Sequence, residues 1–202
     1  MTIAQSLLLA TRNPHKLREF NRLLAPAQIA VVPLPADVVL PPEDGDTFAE
    51  NALPKARAAA VATGRIAIAD DSGIEAAALD GRPGVRSARY AGPHATDQAN
   101  LLRLMREAPV GSALRYVCAL AYVDPAGGLE RVVFGYCSGT LSAQARGSGG
   151  FGYDPAFLPD GFSDGRTMAE LSDAEKDAIS HRARAVAELL RWLPRGAAAS
   201  AG

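Results

Sequence analysis

The chain has 202 residues, of which 48 % are hydrophobic and 21 % charged, a balance typical of a globular protein with a sizeable core. Lys and Arg number 21 and Asp and Glu 22, so the net charge of −1 lacks the positive excess of proteins that bind nucleic acid. No run approaches the ~18 apolar residues that span a membrane, and the first residues lack the basic segment of a signal peptide, which predicts a cytoplasmic protein.

The first elements are predicted to be a strand, a helix and a second strand. Residues 6–11 form a short apolar run, and Asn13-Pro14 follows it as a helix N-cap with proline at the first helical position. Apolar residues then recur at helical spacing, and a second strand is expected over residues 29–33. This order favours an α/β fold.

A loop rich in proline and acidic residues is expected over residues 35–46. Thr47 and Glu50 have the spacing of a capping box, which predicts the start of an alanine-rich helix that ends near Gly64. Pro54 falls inside this helix and is expected to kink it or reset its start.

Two adjacent acidic residues follow the next predicted strand. Residues 66–69 are apolar, and Asp70 and Asp71 come directly after them. Two carboxylates at the end of a buried strand repel each other, so a metal ion, a helix N-terminus or solvent exposure must offset the repulsion. Residues 73–93 hold many glycines and prolines and are expected to be mostly loop.

A helix is predicted from residue 96 or 97 to about 107, followed by a hairpin of strands at 114–123 and 129–141. Cys118 and Cys137 lie in these strands. Because neither belongs to a CxxC motif, both are expected to be reduced core residues of an intracellular protein.

The last helical pattern runs to residue 193 and begins at a capping box of Ser172 and Glu175. In one straight helix, His181 and Arg182 would lie ~140° and ~120° from Lys176, on opposite sides. We therefore predict a break near Ser180, with His181 and Arg182 at the start of a second helix. Residues 195–202 are expected to be disordered.

The turn of residues 11–16, "TRNPHK", lies where a strand leads into a helix, a common position for a bound anion. Thr11, Asn13 and Lys16 supply polar groups and a positive charge. Taken alone, the turn also matches any capped helix start. Lys16, Lys55 and Lys176 are the only lysines in an arginine-rich chain, which draws attention to Lys16 and Lys176.

The Asp70-Asp71 pair is consistent with a magnesium site, because Mg²⁺ takes one or two carboxylates together with substrate phosphates. Glu43 or Asp44 in the acidic loop is a candidate for a further carboxylate. The alternative is a pair of ordinary turn or N-cap residues. In "GGFGYDP", Phe151 is suited to stack on a base and Asp154 to accept a hydrogen bond from it, although a tight turn with core aromatics fits equally.

Taken together, the motifs resemble the inosine triphosphate pyrophosphatase family over residues 7–193. They occur in the family's order and spacing: "LLLATRNPHKLREF", "DTFAENALPKARAAA", "AIADDSGIEAAALDGRPGVRSARYAG", "GGFGYDPAFLPDG" and "MAELSDAEKDAISHRARA". The resemblance implies an elongated α/β fold with a central mixed sheet and flanking helices, in one domain over residues 1–194 with two lobes around a deep cleft. It also implies a homodimer, a Mg²⁺ requirement, and hydrolysis of ITP, dITP or XTP to the monophosphate and pyrophosphate.

The resemblance also implies roles for individual residues. Asp71 would be the catalytic base and, with Glu43, a metal ligand. The substrate-binding residues would be Thr11, Arg12, Asn13, Pro14, His15, Lys16, Ser72, Phe151, Gly152, Tyr153, Asp154, Lys176, His181 and Arg182. Because inosine and xanthosine carry an acceptor at O6, we further expect Arg182 or His181 to donate a hydrogen bond to it.

Two positions depart from the family pattern. Arg12 stands where glycine is frequent, so its side chain must either point away from the site or add a phosphate contact; Pro54 replaces a helix-favouring residue. Two other functions stay open, a pyrophosphatase for other modified nucleotides and a nucleotide-binding module without turnover. A pure binding module needs no base at Asp71.

Overall fold

The computed structural model describes residues 6–193. They form a mixed six-stranded sheet with helices on both faces, as the α/β prediction requires. In this part of the chain, no helix is both long and apolar enough to cross a membrane. The predicted tail at 195–202 lies outside the described residues.

The sheet has the strand order β2-β1-β3-β4-β5-β6. Strand β1 pairs in parallel with β2 and β3, whereas the pairs β3–β4, β4–β5 and β5–β6 are antiparallel. The strands are β1 Ser6–Leu9, β2 Ala30–Pro33, β3 Ala67–Ala76, β4 Ala113–Asp124, β5 Leu129–Leu141 and β6 Phe157–Pro159.

The helices cover the two faces of the sheet. They are α1 Pro14–Leu24, α2 Phe48–Thr63, α3 Asp97–Glu107, α4 Asp173–Ile179 and α5 His181–Trp192. On one face, buried alanines of α2 pack against small residues of β3 and β4, which lets the helix approach the sheet closely. On the other face, α1 and α5 pack against larger apolar side chains of the same strands.

The predicted helix boundaries are confirmed by their caps. Asn13 caps α1, the Thr47–Glu50 capping box begins α2, and Gly64 ends it in a left-handed conformation at φ 65°. The predicted break at Ser180 is also confirmed, because its extended backbone, with ψ 153°, separates α4 from α5. Helix α2 continues through Pro54, so this proline does not reset its start.

Strand β3 is much longer than its apolar run. Asp70 and Asp71 were expected to follow a strand that ended at residue 69, but they lie in the middle of β3, opposite Leu120 and Ala119 of β4. The expectation of mostly loop over 73–93 is wrong, because β3 continues to Ala76 and the 3-10 helices Ala77–Leu79 and Gly84–Arg89 follow it. Pairing with the long strand β4 overrides the weak strand propensity of the polar residues.

Strands β4 and β5 are confirmed close to their predicted bounds. Cys118 and Cys137 are buried in them and are unpaired within the described chain, as predicted. Burial in apolar surroundings raises the pKa of the Cys137 thiol to about 11, so this thiol stays protonated at neutral pH.

Candidate active site

A cavity of about 360 Å³ opens where the start of α1, the middle of β3, the 149–154 loop and the start of α5 meet. Fourteen of the predicted site residues line it: Thr11, Arg12, Asn13, Lys16, Glu43, Asp71, Ser72, Phe151, Gly152, Tyr153, Asp154, Lys176, His181 and Arg182. Pro14 and His15 are not in the lining. The structure therefore brings together residues as far apart in the sequence as Thr11 and Arg182.

Pro14 and His15 lie outside the lining because α1 begins there and their side chains leave the turn. The His15 ring instead lies 5.2 Å from the Phe151 ring, centroid to centroid. Oδ1 of Asn13 accepts hydrogen bonds from the backbone N–H of His15 at 2.9 Å and of Lys16 at 3.4 Å. Asn13 thus caps these two N–H groups, as predicted, and Lys16 supplies the positive charge.

Asp70 is 1 % exposed, and three side-chain donors surround its Oδ2, whereas its Oδ1 has no hydrogen-bond partner among residues 6–193. Its Oδ2 lies 3.0 Å from Lys16 Nζ and 3.2 Å from Arg182 Nε, and it accepts a hydrogen bond from Ser72 at 3.0 Å. Burial by itself would raise the pKa of Asp70, but the charges of Lys16, Arg182 and Lys55 hold this pKa well below its usual range. Asp70 is therefore a permanently ionised residue.

Asp71 behaves in the opposite way. It is 6 % exposed, and its Oδ2 accepts a hydrogen bond from Asn51 Nδ2 at 3.0 Å. Burial, reinforced by the negative charge of Glu43, raises the pKa of Asp71 to about 6, against the opposing effect of Lys55. A carboxylate with a pKa near neutrality inside a cavity is suited to accept a proton from water.

The repulsion between the two aspartates is relieved by the strand itself. Successive side chains of a β-strand point to opposite faces of the sheet. Asp70 accordingly contacts Lys16 and Arg182 from the α1 and α5 side, while Asp71 contacts Asn51 of α2. The neighbouring cations and the strand geometry thus offset the repulsion between the two carboxylates. From the sequence, a metal ion, a helix N-terminus or solvent was expected to do so.

Lys55 is a site residue that the sequence interpretation missed. This buried lysine of α2 forms an ion pair with Glu43, and its Nζ donates to the backbone carbonyl of Asp70 at 2.8 Å. Burial lowers its pKa, but the charges of Asp70 and Glu43 outweigh this effect and keep it cationic. It is one of only three lysines in the chain, so the same scarcity that pointed to Lys16 and Lys176 applied to it.

Glu19 was missed as well, and it joins two of the cations that line the cavity, Lys176 and Arg182. Its Oε1 accepts a hydrogen bond from Lys176 Nζ at 2.7 Å, and its Oε2 accepts one from Arg182 Nη1 at 2.6 Å. Lys176 also donates to Asp154 Oδ2 at 2.7 Å. All four side chains are buried, so each charge depends on its partners.

His181 lies flat against Tyr116, with 4.6 Å between ring centroids and an interplanar angle of 7°. Burial, together with the charges of Arg182 and Lys176, holds its pKa well below the usual range, so the ring is neutral. Its Nδ1 has no hydrogen-bond partner among residues 6–193. A neutral imidazole has one donor and one acceptor nitrogen, as recognition of a base edge requires.

The glycine-rich loop is shaped around Asp154. Gly150 has φ +67°, and a Cβ there would lie 2.0 Å from Asp154 Oδ2 and 3.0 Å from Lys176 Nζ. Only glycine allows this approach. The Phe151 ring faces the cations Lys176 and Arg182, each 5.4 Å from its centroid. The loop therefore places an aromatic face beside two cations at the cavity wall.

The Glu43 and Asp71 carboxylates fit magnesium as two of its ligands and do not form a complete coordination site by themselves. Within residues 6–193, no three His, Cys, Asp or Glu side chains form a metal-binding group. Asp71 and Glu43 influence each other electrostatically, and Asn51 occupies one oxygen of Asp71. Two carboxylates plus substrate phosphates is a common arrangement for Mg²⁺, so these residues fit the ion once a phosphate is bound.

Curated relatives match the chain over most of its length. The dITP/XTP pyrophosphatase of Mycolicibacterium paratuberculosis is 50 % identical over 189 residues, covering 89 % of this chain and 91 % of the relative. The dITP/XTP pyrophosphatase of Symbiobacterium thermophilum is 48 % identical over 190 residues, covering 93 % and 94 %.

Solved structures share the fold. A HAM1 protein from Coxiella burnetii matches with a TM-score of 0.80 and 38 % identity, covering 92 % of this chain and 96 % of that one. A nucleoside-triphosphatase / dITP/XTP pyrophosphatase from Mycobacterium abscessus matches with a TM-score of 0.71 and 43 % identity, covering 92 % and 99 %. The Ham1 family model matches residues 7–192, and the chain therefore belongs to the Ham1 family, as its motifs predicted.

Proposed function

We propose that this protein is a pyrophosphatase that hydrolyses the non-standard purine triphosphates ITP, dITP and XTP to the monophosphate and pyrophosphate. The observation that carries the proposal is Asp71, a buried carboxylate with a pKa of about 6 in a cavity that Lys16 and Lys55 also line. The names of the curated relatives support the same reaction and substrate class.

In the proposed mechanism, Asp71 accepts the proton of a water molecule that attacks the α-phosphorus, and pyrophosphate leaves. Asn51 orients the Asp71 carboxylate through its 3.0 Å hydrogen bond. Lys16 binds phosphate oxygens from the side of α1, and Asp70 holds the Lys16 ammonium in place at 3.0 Å. Fixed charges of this kind stabilise the transition state without reorganising during the reaction.

Mg²⁺ is part of the proposal, and Glu43 and Asp71 are the residues that would hold it. When bound, the ion would neutralise phosphate charge and lower the pKa of a bound water molecule. Lys55, paired with Glu43, holds that carboxylate at the cavity wall.

The acid limb of the pH–rate profile is expected near pH 6. Because the pKa of Asp71 is raised to about 6, the base is protonated and inactive below this value and ionised above it. We expect kcat/KM for ITP to fall about tenfold per pH unit below the midpoint. Initial rates from about pH 4.5 to about pH 8.5 measure it, and a flat profile down to about pH 5 would contradict a catalytic base with a pKa near 6.

Base selectivity is assigned to His181 and Arg182. ITP and XTP carry an acceptor at O6 where ATP carries an amino donor, so a donor from either residue favours the former. In His181→Phe the ring still stacks on Tyr116 but loses its nitrogens. We expect the ratio of kcat/KM for ITP over ATP to fall by about tenfold, equal to one hydrogen bond of ~1.4 kcal/mol. An unchanged ratio would leave Arg182 as the sole candidate donor.

Phosphorus NMR of the protein with Mg²⁺ and ITP, XTP, GTP or ATP tests the proposed function. Pyrophosphate and monophosphate from ITP and XTP, with little from ATP and GTP, are expected, and chelation of the metal should stop the reaction. Orthophosphate with a diphosphate would place the attack at the γ-phosphorus. If only modified pyrimidine triphosphates, tested in further samples, are hydrolysed, the alternative of a pyrophosphatase for other modified nucleotides is favoured. Binding of a nucleotide without turnover would favour a binding module.

We further propose that the protein is a cytoplasmic homodimer. The support is the resemblance of the whole chain to its family. Light scattering coupled to size exclusion measures the mass in solution against the 21.0 kDa of one chain.

A further inference from the structure

Arg12 lines the cavity, yet its guanidinium points into the neighbouring loop. Nη1 donates to the carbonyl of Leu34 at 3.0 Å. Nη2 lies 2.8 Å from the carbonyl oxygen of Pro35, 3.1 Å from that of Ala36 and 2.7 Å from that of Val38. Of the two alternatives that the sequence left open, the structure adopts the first, because the side chain points away from the site.

The backbone of Arg12 needs no special conformation. In the described chain, Gln28 and Asp80 are the non-glycine residues with positive φ, so Arg12 does not require the freedom of a glycine. The residue therefore fits the turn at no conformational cost. Its long side chain is available for a task that glycine cannot perform.

The loop that Arg12 holds has little support of its own. Residues 34–46 contain no helix or strand, and over 34–40 the described structure has one backbone–backbone hydrogen bond, from Val38 to Pro35. Prolines in this loop lack an N–H group and cannot donate to the sheet. Arg12 thus supplies most of the hydrogen bonds that fix the start of the loop.

The end of the same loop enters the candidate site. Leu40, Pro41 and Glu43 line the cavity, and the Glu43 carbonyl accepts a hydrogen bond from Arg89 Nη2 at 2.8 Å. The Glu43 side chain is paired with Lys55. The loop is therefore fixed at its start by Arg12 and at its end by Lys55 and Arg89.

We propose that Arg12 is a positioning residue that fixes Glu43 relative to the turn of residues 11–16, where Lys16 binds phosphate. This inference rests on the proposed function. The backbone of Arg12 belongs to the turn of residues 11–16, while its side chain holds the loop that carries Glu43. The guanidinium presents several donors in one plane, so it holds several carbonyls at once, which a lysine ammonium does less well.

Hydrogen exchange and kinetics of Arg12→Met and Arg12→Lys test the proposal, with the exposed Arg106→Met as matched control. In Arg12→Met we expect amide exchange over residues 34–46 to become at least about tenfold faster and kcat for ITP to fall about tenfold. KM should change less than about twofold. For Arg12→Lys, the exchange rate and kcat should lie between those of wild type and those of Arg12→Met. Unchanged exchange, or faster exchange with unchanged kcat, would overturn the proposal. If Arg12→Met does not fold, the same measurements on Arg12→Lys test the proposal.

A double-mutant cycle separates positioning from general loosening of the structure. If Arg12 acts through Glu43, adding Arg12→Met to Glu43→Gln should lower kcat by less than about twofold more. If the double variant instead loses kcat by the product of the two single-variant factors, the proposal is overturned. The two proposals fail in different ways. If the wild-type protein hydrolyses no triphosphate, the proposed function is overturned. If the wild-type protein is active and Arg12→Met is equally active, only the role of Arg12 is overturned.

Discussion

Asp71→Asn is expected to lower kcat for ITP by about a thousandfold, within the ~10²–10⁴ range for loss of a general base. The substitution preserves size, and the amide oxygen that it introduces can still accept the hydrogen bond that Asn51 donates at 3.0 Å. It removes only the group that accepts the proton. Single-turnover kinetics with excess enzyme measure the loss in the chemical step.

The control for this prediction is Asp124→Asn, which makes the same change in the last residue of β4. We expect that variant to keep wild-type activity. Calorimetric titration of Asp71→Asn with ITP should show that binding persists, which separates lost chemistry from lost binding. Activity within about tenfold of wild type in Asp71→Asn would mean that another group is the base.

Glu19→Ala is expected to destabilise the protein by about 3–5 kcal/mol, the usual cost of breaking a buried ion pair from one side. Glu19 is 6 % exposed and accepts from both Lys176 and Arg182, so its removal leaves two buried cations with fewer partners. This cost is a large fraction of the ~5–15 kcal/mol that stabilises a domain. Urea unfolding monitored by circular dichroism gives the change.

The matched control is Glu188→Ala, because Glu188 pairs with Arg191 on the surface, where the side chains are 44 % and 66 % exposed. An exposed pair of this kind contributes ~0–1 kcal/mol. Equal losses in the two variants would contradict the importance of burial at Glu19.

The Glu19 contribution should also depend on pH. Burial raises its pKa, but Arg182 and Lys176 outweigh burial and lower the pKa below 4.5, so the ionised form is stabilised by folding. The stability that Glu19 contributes is therefore present above about pH 4.5 and is lost as the pH falls through the folded pKa. The difference in unfolding free energy between wild type and Glu19→Gln should narrow in the same range.

Local signals in the sequence predicted local structure well. The Asn13 cap, the Thr47–Glu50 box and the left-handed Gly64 each involve groups within a few residues, so their energetics do not depend on the rest of the fold. The break at Ser180 was predicted from helix geometry alone and is confirmed. Fourteen of the residues that the family resemblance named line the cavity.

Long-range pairing was not visible in the same way. Asp70 and Asp71 looked like residues after a strand because strand propensity falls at the first carboxylate, but ten residues of β3 pair with β4. Glu19 and Asn51 were not singled out from the sequence. Their partners are 157 and 20 positions away in the chain, so no spacing rule indicates them.

The sequence by itself determined the family, the fold class, the helix boundaries and most residues of the candidate site, because these follow from short motifs. Tertiary structure alone decided how the charges are shared. It placed Asp70 among Lys16 and Arg182 and left Asp71 buried with a pKa of about 6. Neighbouring residues with the same side chain acquire opposite protonation behaviour because the two faces of one strand meet different helices.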